Sequence, residues 1–583
     1  MGIEGEFERD FFDTFGYYAH SDFRIPVRST AKPEIFDTTL REGFQTPGGI
    51  GASLEERIYA ASLISRYCDW IELGMPANNT DYPKIKAIKE KFNEEGYDAG
   101  IAVLARCVPL DIERAAEVMH DYPKSLIHLF IGTSEEHRSV RFGGAKTDED
   151  YIKMIERSVA DAASRAEFSR VMFSPEDAYR TFKEDRETFA RFLMAAIRGY
   201  KKGNAVAGRK DPLIANLPDT VGYSTIMEFD EMIEYAHELF GGNIELSVHH
   251  HNDSGMADAA TIHSYQKHRV PFLQTTFAGL GERNGMGSTE RVIKTLNERG
   301  MLKDSRISKP ENLSELDKAA EAILWILGRQ VPEEYLRRIN ITTSGVHSAA
   351  VIKSSRTYHI FGERYGSELY VELGPTSGSK QVMEVLSSHG ISYDAKRIEE
   401  FADKLKEEAN KRKSPLSITH IIYEAGKYFN GNEDDGLIVR DYRVQTTDDG
   451  ITFLKIMGTI DGEPFKLEQK ANGPVEASIE ALNDVIKKHT GTDEGITLED
   501  YGLRVIPNIG REYLNWKKGA KPRIPEKIGE DAHLAVKVVL RNGDGRIYEG
   551  WARHENSTKA EVDAVIDAMS KMYALHKWNG KHS

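Results

Sequence analysis

The stretch Glu34-Ile35-Phe36-Asp37-Thr38-Thr39-Leu40-Arg41-Glu42-Gly43 separates two architectures. It begins as an apolar strand and runs into a polar turn with a single glycine at its end. A doubly wound sheet needs a glycine-rich phosphate turn after its first strand. A barrel instead gathers charged residues at the carboxyl ends of its strands. Working outward from this stretch to about Arg299, short apolar or β-branched runs alternate with longer amphipathic helical segments. Strands are expected at Glu34–Leu40, Trp70–Pro76, Ala99–Arg106, Leu126–Thr133, Arg170–Pro175, Pro212–Asp219, Ile244–His251 and Phe272–Gly279. Eight strands separated by helices predict an α/β fold, a (β/α)8 TIM barrel.

Polar residues collect where these strands end, among them Arg41 and Glu42, Glu176 and Asp177, Asp219 and Thr220, and Glu282 and Arg283. The seventh run closes on Ser247-Val248-His249-His250-His251-Asn252-Asp253. Side chains alternate faces along a strand, so His249 and His251 project to one side, close enough to share a divalent ion. Glu42 is the expected third ligand, because in a barrel the first and seventh strands end at the same mouth. Two imidazoles and a carboxylate leave positions open for substrate oxygens, as a catalytic site requires, and zinc, magnesium and manganese all suit the set. Arg41 either places a permanent cation beside a bound carbonyl or pairs with Asp37 or Glu72 at the barrel end. Glu176 can orient a base, whereas Asp177 suits a helix N-cap. His347 stands alone beyond the barrel, where histidines are more often structural than catalytic.

A chain of 583 residues with 40% hydrophobic content is expected to form two to four globular units. Its formal net charge of −15 excludes a general binder of nucleic acid or of anionic membranes. The two cysteines, Cys68 and Cys107, lie inside apolar runs. They make no disulfide framework and fit a reduced, cytoplasmic compartment. Met1–Ser21 lacks the basic start and apolar core of a signal peptide, and no run reaches the roughly eighteen apolar residues of a membrane span.

Beyond Leu302 the pattern turns helical, with segments at Glu311–Arg329 and Ala395–Lys411, a polar stretch Thr342–Tyr358 and a strand-like Glu368–Leu373. The remainder carries an internal repeat. Strand-like Thr452–Ile460 and Phe465–Lys470 lead through Asn472-Gly473-Pro474 into a helix at Val475–Lys488. Ala535–Arg541 and Arg546–Arg553 lead through Asn556-Ser557 into Lys559–Tyr573. Such a repeat implies a pseudosymmetric α+β domain. The expected division is an N-terminal extension (1–32), a barrel (33–301), helical linker subdomains (302–435) and a C-terminal domain (436–583).

Five motifs together resemble the isopropylmalate and homocitrate synthase family: Asp37-Thr38-Thr39-Leu40-Arg41-Glu42-Gly43, His249-X-His251-Asn252-Asp253-X-Gly255, Phe173-Ser174-Pro175-Glu176-Asp177, Leu217-Pro218-Asp219-Thr220-Val221-Gly222 and Gly281-Glu282-Arg283. The resemblance implies condensation of acetyl-CoA with a 2-oxo acid, followed by thioester hydrolysis. It implies that Glu42, His249 and His251 hold the metal, that Arg41 balances developing negative charge, and that His128 and Thr220 hold the oxo acid's carboxylate end. Glu176 would act with His347 on the acetyl methyl proton, aided by Tyr358. In the family the last two residues reach the neighbouring subunit's barrel, which implies a homodimer with shared active sites. The terminal repeat, with Asn472-Gly473-Pro474-Val475-Glu476-Ala477, resembles the regulatory domain through which such enzymes bind an end-product amino acid.

Two subfamily patterns meet in this chain. Glu42, Met286, Asn284 and Met256 resemble homocitrate synthases, while the C-terminal domain points to isopropylmalate or citramalate synthases. Arg138 falls where homocitrate synthases pair an arginine with the far carboxylate of 2-oxoglutarate, so the expectation leans to a dicarboxylic acceptor, 2-oxoglutarate or oxaloacetate. Glu135 and Glu136 offer Arg138 a surface ion pair instead, and 2-oxoisovalerate is the competing acceptor. Lyases and aldolases on the same barrel, or an inactive amino-acid sensor, are the rival readings. The first lack the His347 and Tyr358 pair, and the second would not need the full set of catalytic residues.

Overall fold

A computed structural model describes residues 32–46, 49–303, 305–327, 378–388, 391–412, 418–430, 436–506, 533–554 and 556–582, with scattered positions from 341 to 371 and at 416. His347, Tyr358 and nearly all of the N-terminal extension lie outside them.

Eight parallel strands close into a barrel in chain order. They are β1 (Glu34–Asp37), β2 (Trp70–Glu72), β3 (Gly100–Arg106), β4 (Ser125–Gly132), β5 (Arg170–Glu176), β6 (Leu213–Asp219), β7 (Ile244–His250) and β8 (Phe272–Thr275). Closure runs through β1 and β8, with Phe36 opposite Gln274 and Asp37 opposite Thr275. The expected TIM barrel is therefore the observed one, although β1 stops at Asp37 rather than Leu40. The Asp37 carboxylate accepts bonds from the Thr39 backbone N–H at 2.9 Å, the Thr39 hydroxyl at 3.0 Å and the Thr289 hydroxyl at 2.9 Å. Thr39–Gly43 consequently coils into one wide π-type turn, a local form frequent at functional sites.

Alternation along the strands stacks the barrel interior in layers. The lowest layer is apolar: Phe36, Trp70, Ala102, Leu126, Met172, Ile214 and Phe272 pack together. Two residues further along, β2, β4, β5, β6 and β8 carry Glu72, His128, Ser174, Asn216 and Gln274, all buried. One more step on β4, β5 and β6 gives Phe130, Glu176 and Pro218, which line the cleft at the mouth. Outside the barrel a larger core joins strands to helices through residues such as Ile35, Ile71, Val103, Ile127, Val171 and Val248.

Two outer helices pack especially closely. Gly199 and Gly203 of the helix Arg186–Ala207 face the helix Asp148–Ser164, and a Cβ at either would sit 2.4 Å from the Glu156 carbonyl oxygen or 2.2 Å from that of Ala160. Glycine is required there for the approach of backbone to backbone, not for its dihedral freedom.

The described residues form two compact units, one within residues 1–340 and 361–368, the other within residues 341–360 and 369–583. The second unit contains helices Ser379–Ser388, Ile398–Arg412 and Ile418–Asn430 around Leu386, Phe401, Leu405 and Ile421. A two-residue strand β9 (Ile341–Thr342) pairs in parallel with β10 (Tyr370–Val371). The repeat follows as two antiparallel meanders, β11 (Leu437–Thr446), β12 (Ile451–Ile460) and β13 (Glu463–Asn472), then β14 (Thr497–Ile506), β15 (His533–Arg541) and β16 (Ile547–His554). Each leads into a helix, Pro474–Thr490 or Ser557–His582, and both halves share one core that includes Ile456, Leu482, Val538 and Met569. The sequence reading captured the last two strands and the helix of each unit but missed β11 and β14. Those first strands also share an irregularity, a register shift at Val439/Asp441 in one and at Leu498/Asp500 in the other. Among the described residues, no helix is long and apolar enough to cross a membrane.

Gly203→Ala is expected to destabilise the barrel unit by about 1–3 kcal/mol through overpacking, read as a lower urea midpoint with an unchanged slope. A loss below about 0.5 kcal/mol, the range of neutral surface changes, would mean that the two helices are not packed at this distance.

Candidate active site

The π-type turn after β1 and the end of β7 bring Glu42, His249 and His251 together, with ligand atoms all within 4.8 Å of one another. The two histidine Nε2 atoms lie 3.3 Å apart, and a Glu42 carboxylate oxygen lies 3.8 Å from His251 Nε2. Ligands about 2.1 Å from a common ion stand roughly 3.0–3.4 Å from each other, so the two imidazoles already have the spacing for one divalent cation and the Glu42 carboxylate lies close enough to join them by a side-chain adjustment. His249 Nδ1 pairs with the Gln274 side-chain oxygen at 2.7 Å, which fixes the ring and aims Nε2 at the shared point. Burial, followed by His251 and Arg41, holds His249 well below the ordinary imidazole range. Burial is also the main cause of the lowered value at His251. Neutral imidazoles are the form that binds metal.

A second group, Asp230, His263 and His268, has similar spacing. It already holds a cation, because Lys267 Nζ lies 2.9 Å from the same Asp230 carboxylate, and none of its residues lines the cleft.

Arg41 is held from two sides. Its Nε donates to Glu72 at 2.7 Å, and its Nη1 pairs with Glu42. The ion pair with Glu72 expected of Arg41 is observed, and the side chain also lines the cleft. Glu72 also accepts from His128 Nδ1 at 2.7 Å. Burial alone would raise the Glu72 carboxyl, but Arg41 and His128 outweigh it and hold the group at about 2. Beyond His128 the chain of contacts continues from Nε2 to the Ser174 hydroxyl at 2.6 Å, and from Ser174 Oγ to the Asn216 amide at 2.7 Å. Both His128 nitrogens are therefore engaged by protein. Asn216 Oδ1, by contrast, is a buried acceptor without a partner among the described residues, and Asn216 lines the cleft.

The cleft has a volume of about 310 Å³, enough for a small ligand. Besides the metal-site residues it is lined by Leu104, Phe130, Glu176, Pro218 and Thr220. Thr220 accepts from the Asp177 backbone N–H at 2.9 Å, so its hydroxyl proton remains available to a ligand. Asp177 does not cap its helix through its side chain as expected. Its carboxylate instead meets His137 at 3.1 Å and Arg180 at 2.5 Å. Met286 is buried, with the Thr38 hydroxyl 3.7 Å from its sulfur, and its backbone bridges to His251.

Arg138 departs from its expected place. Its Nε donates to the Thr133 carbonyl at 2.9 Å, its Nη1 pairs with Asp148, and its guanidinium lies over Phe192. It does not line the cleft, and its partner is Asp148 rather than Glu135 or Glu136. Sequence reasoning passed over Asn216, Gln274 and Arg141. The first two share the inward parity of His249, a signal available from strand alternation, whereas Arg141 lies in an irregular turn that no periodicity marks.

The HMGL-like family matches residues 32–323. The 2-isopropylmalate synthase of Pyrococcus furiosus is 30% identical over 93% of this chain and 99% of its own length. That of Acetivibrio thermocellus is 28% identical over 93% of this chain and 98% of its own, and that of Lactococcus lactis subsp. cremoris is 30% identical over 78% and 84%. The family match spans the barrel and the helices just after it, and the similarity to the relatives covers 93% of the chain in the fullest of these cases. This chain belongs to the HMGL-like family and, within it, to the acyl-transferring synthases of the isopropylmalate and homocitrate type.

Proposed function

We propose that this protein condenses acetyl-CoA with a short monocarboxylic 2-oxo acid, of which 2-oxoisovalerate is the type, and hydrolyses the thioester to release CoA. The geometry of Glu42, His249 and His251 is the observation that carries this reading. A divalent ion bound by these three residues supplies Lewis acidity to the ketone. Arg41, fixed by Glu72 and Glu42, places a permanent positive charge where negative charge grows on the reacting oxygens. Thr220 donates its hydroxyl to the acid's carboxylate. Glu176 accepts a proton from the acetyl methyl group, leaving the electron pair to form the carbon–carbon bond to the ketone carbon. Water then cleaves the carbon–sulfur bond. His347 and Tyr358 act at this site from a second copy of the chain.

The orientation of Arg138 favours the monocarboxylic acceptor. A second carboxylate needs a cation of its own, but Arg138 is engaged outside the cleft, the cleft-lining Arg283 is paired with Asp253, and the lining includes the apolar Leu104, Phe130 and Pro218. The names of the relatives point the same way.

His249→Ala is expected to lower metal affinity about 10- to 100-fold or more, with turnover falling in step; full metal content and full turnover in that variant would sink the assignment. Among 2-oxoisovalerate, 2-oxoglutarate and oxaloacetate, release of free CoA should be fastest with the first. A preference for 2-oxoglutarate that Arg138→Leu abolishes would return Arg138 to the acceptor pocket. Mixing inactive His347→Ala and Glu42→Ala chains should restore part of the activity, because one hybrid site then holds every functional residue. Verified heterodimers without activity would confine His347 to its own subunit or remove it from the chemistry.

A further inference from the structure

One charged contact at the cleft is explained neither by metal binding nor by acceptor recognition. Arg141 Nη2 donates to the Glu176 carboxylate at 2.9 Å. Glu176 lines the cleft while Arg141 does not, so the guanidinium grips the carboxylate from behind. Resting on the reading of Glu176 as the proton acceptor, we propose that Arg141 is a positioning residue that fixes the direction in which Glu176 presents its carboxylate to the acetyl group.

The surrounding segment is built to deliver that contact. The helix Glu135–Val140 ends one residue before Arg141, whose backbone is extended at φ −72°, ψ 141°. Phe142 then adopts φ +54° and Gly144 φ +68°, reversing the chain. A left-handed conformation costs a non-glycine residue about 1–2 kcal/mol, so this turn persists only because its surroundings hold it. Arg138 is the principal anchor: it ties the helix to the end of β4 through the Thr133 carbonyl and to the next helix through Asp148. The Phe142 ring packs edge-on against Tyr151 at 6.2 Å, which secures the other side.

The β4 end also makes room for the carboxylate. A Cβ on Gly132 would stand 3.2 Å from Glu176 Oε2 and 2.9 Å from His137 Cβ. The Glu176 backbone is held as well, its carbonyl accepting from the Thr133 N–H at 2.9 Å and hydroxyl at 3.0 Å. Main chain and space are thus set by β4, leaving the side-chain torsions to be fixed by Arg141. At 34% and 25% exposure, the two side chains would gain little stability from their pairing in water. Orientation is the more substantial consequence, since misplacing a reacting group by about 1 Å costs on the order of 100-fold in rate.

The test is steady-state kinetics of the full-length, metal-loaded protein with each 2-oxo acid, using acetyl-CoA and its methyl-deuterated form. Arg141→Ala should lower kcat about 10- to 100-fold, leave KM for the 2-oxo acid and metal content unchanged, and raise the deuterium isotope effect on kcat. Arg141→Lys should recover part of kcat, because its point charge reaches the carboxylate without the planar fork. Arg138→Leu should lower kcat by a smaller factor at constant KM. In a Glu176→Ala background, Arg141→Ala should cost nothing more. A rise in KM for the 2-oxo acid at constant kcat would make Arg141 an acceptor-binding residue and overturn the proposal, as would an additive loss in the Glu176→Ala background. Full turnover in Glu176→Ala would remove Glu176 from the chemistry, and this proposal with it. Loss of turnover in Glu176→Ala with Arg141→Ala unaffected would preserve the role of Glu176 and discard that of Arg141.

Discussion

Closure of β1 onto β8 is the constraint on which the site depends. A sheet without edges gives each side chain only two destinations, the helical layer or the barrel interior. An interior of eight strands is just wide enough to be filled by side chains. Phe36, Trp70, Leu126, Met172, Ile214 and Phe272 fill its lower part. The next inward positions therefore become both the floor of the cleft and the place where chemistry can be installed. One register step separates an apolar plug from a polar site.

Installing polar groups there is costly unless they satisfy one another. Asn216, Ser174, His128, Glu72, Arg41 and Glu42 form one continuous series of contacts, and Glu72 is its centre. It takes an imidazole on one oxygen and a guanidinium on the other. Removing one partner from such a buried pair costs more than the pair itself contributes. The arrangement also bears on the metal. Drawing Glu42 toward a cation would weaken its hold on Arg41, yet Arg41 would stay paired, because Glu72 meets His128 through its other oxygen. A charge can thus be kept beside the candidate metal ligands without being left uncompensated.

The barrel was legible in the sequence because each strand is an apolar run that ends on polar residues, and His249 and His251 because two-residue spacing fixes their face. The proximity of Glu42 to them followed from topology, since it shares their mouth whatever the length of β1. Other features lay beyond such patterns. β11 reads Leu-Ile-Val-Arg-Asp-Tyr-Arg-Val-Gln-Thr, a charged strand that is mostly exposed after its first residues, so it lacks the alternation that marks a half-buried strand. The early end of β1 comes from the capture of Thr39 by Asp37, a side-chain event invisible to periodicity. His347 and Tyr358 rest on the resemblance alone.

Arg138 and Arg141 show how a correct motif can lead to a displaced side chain. Three positions apart, they would share a face if the helix continued. It stops at Val140, and the extended Arg141 followed by a left-handed Phe142 swings the second guanidinium toward Glu176. The first is drawn away by the Thr133 carbonyl and Asp148. Which of two nearby arginines reaches Glu176 is thus decided by one helix terminus and one left-handed residue. Asp148 completes the choice: it takes the charge of Arg138 outside the cleft, whose lining includes the apolar Leu104, Phe130 and Pro218.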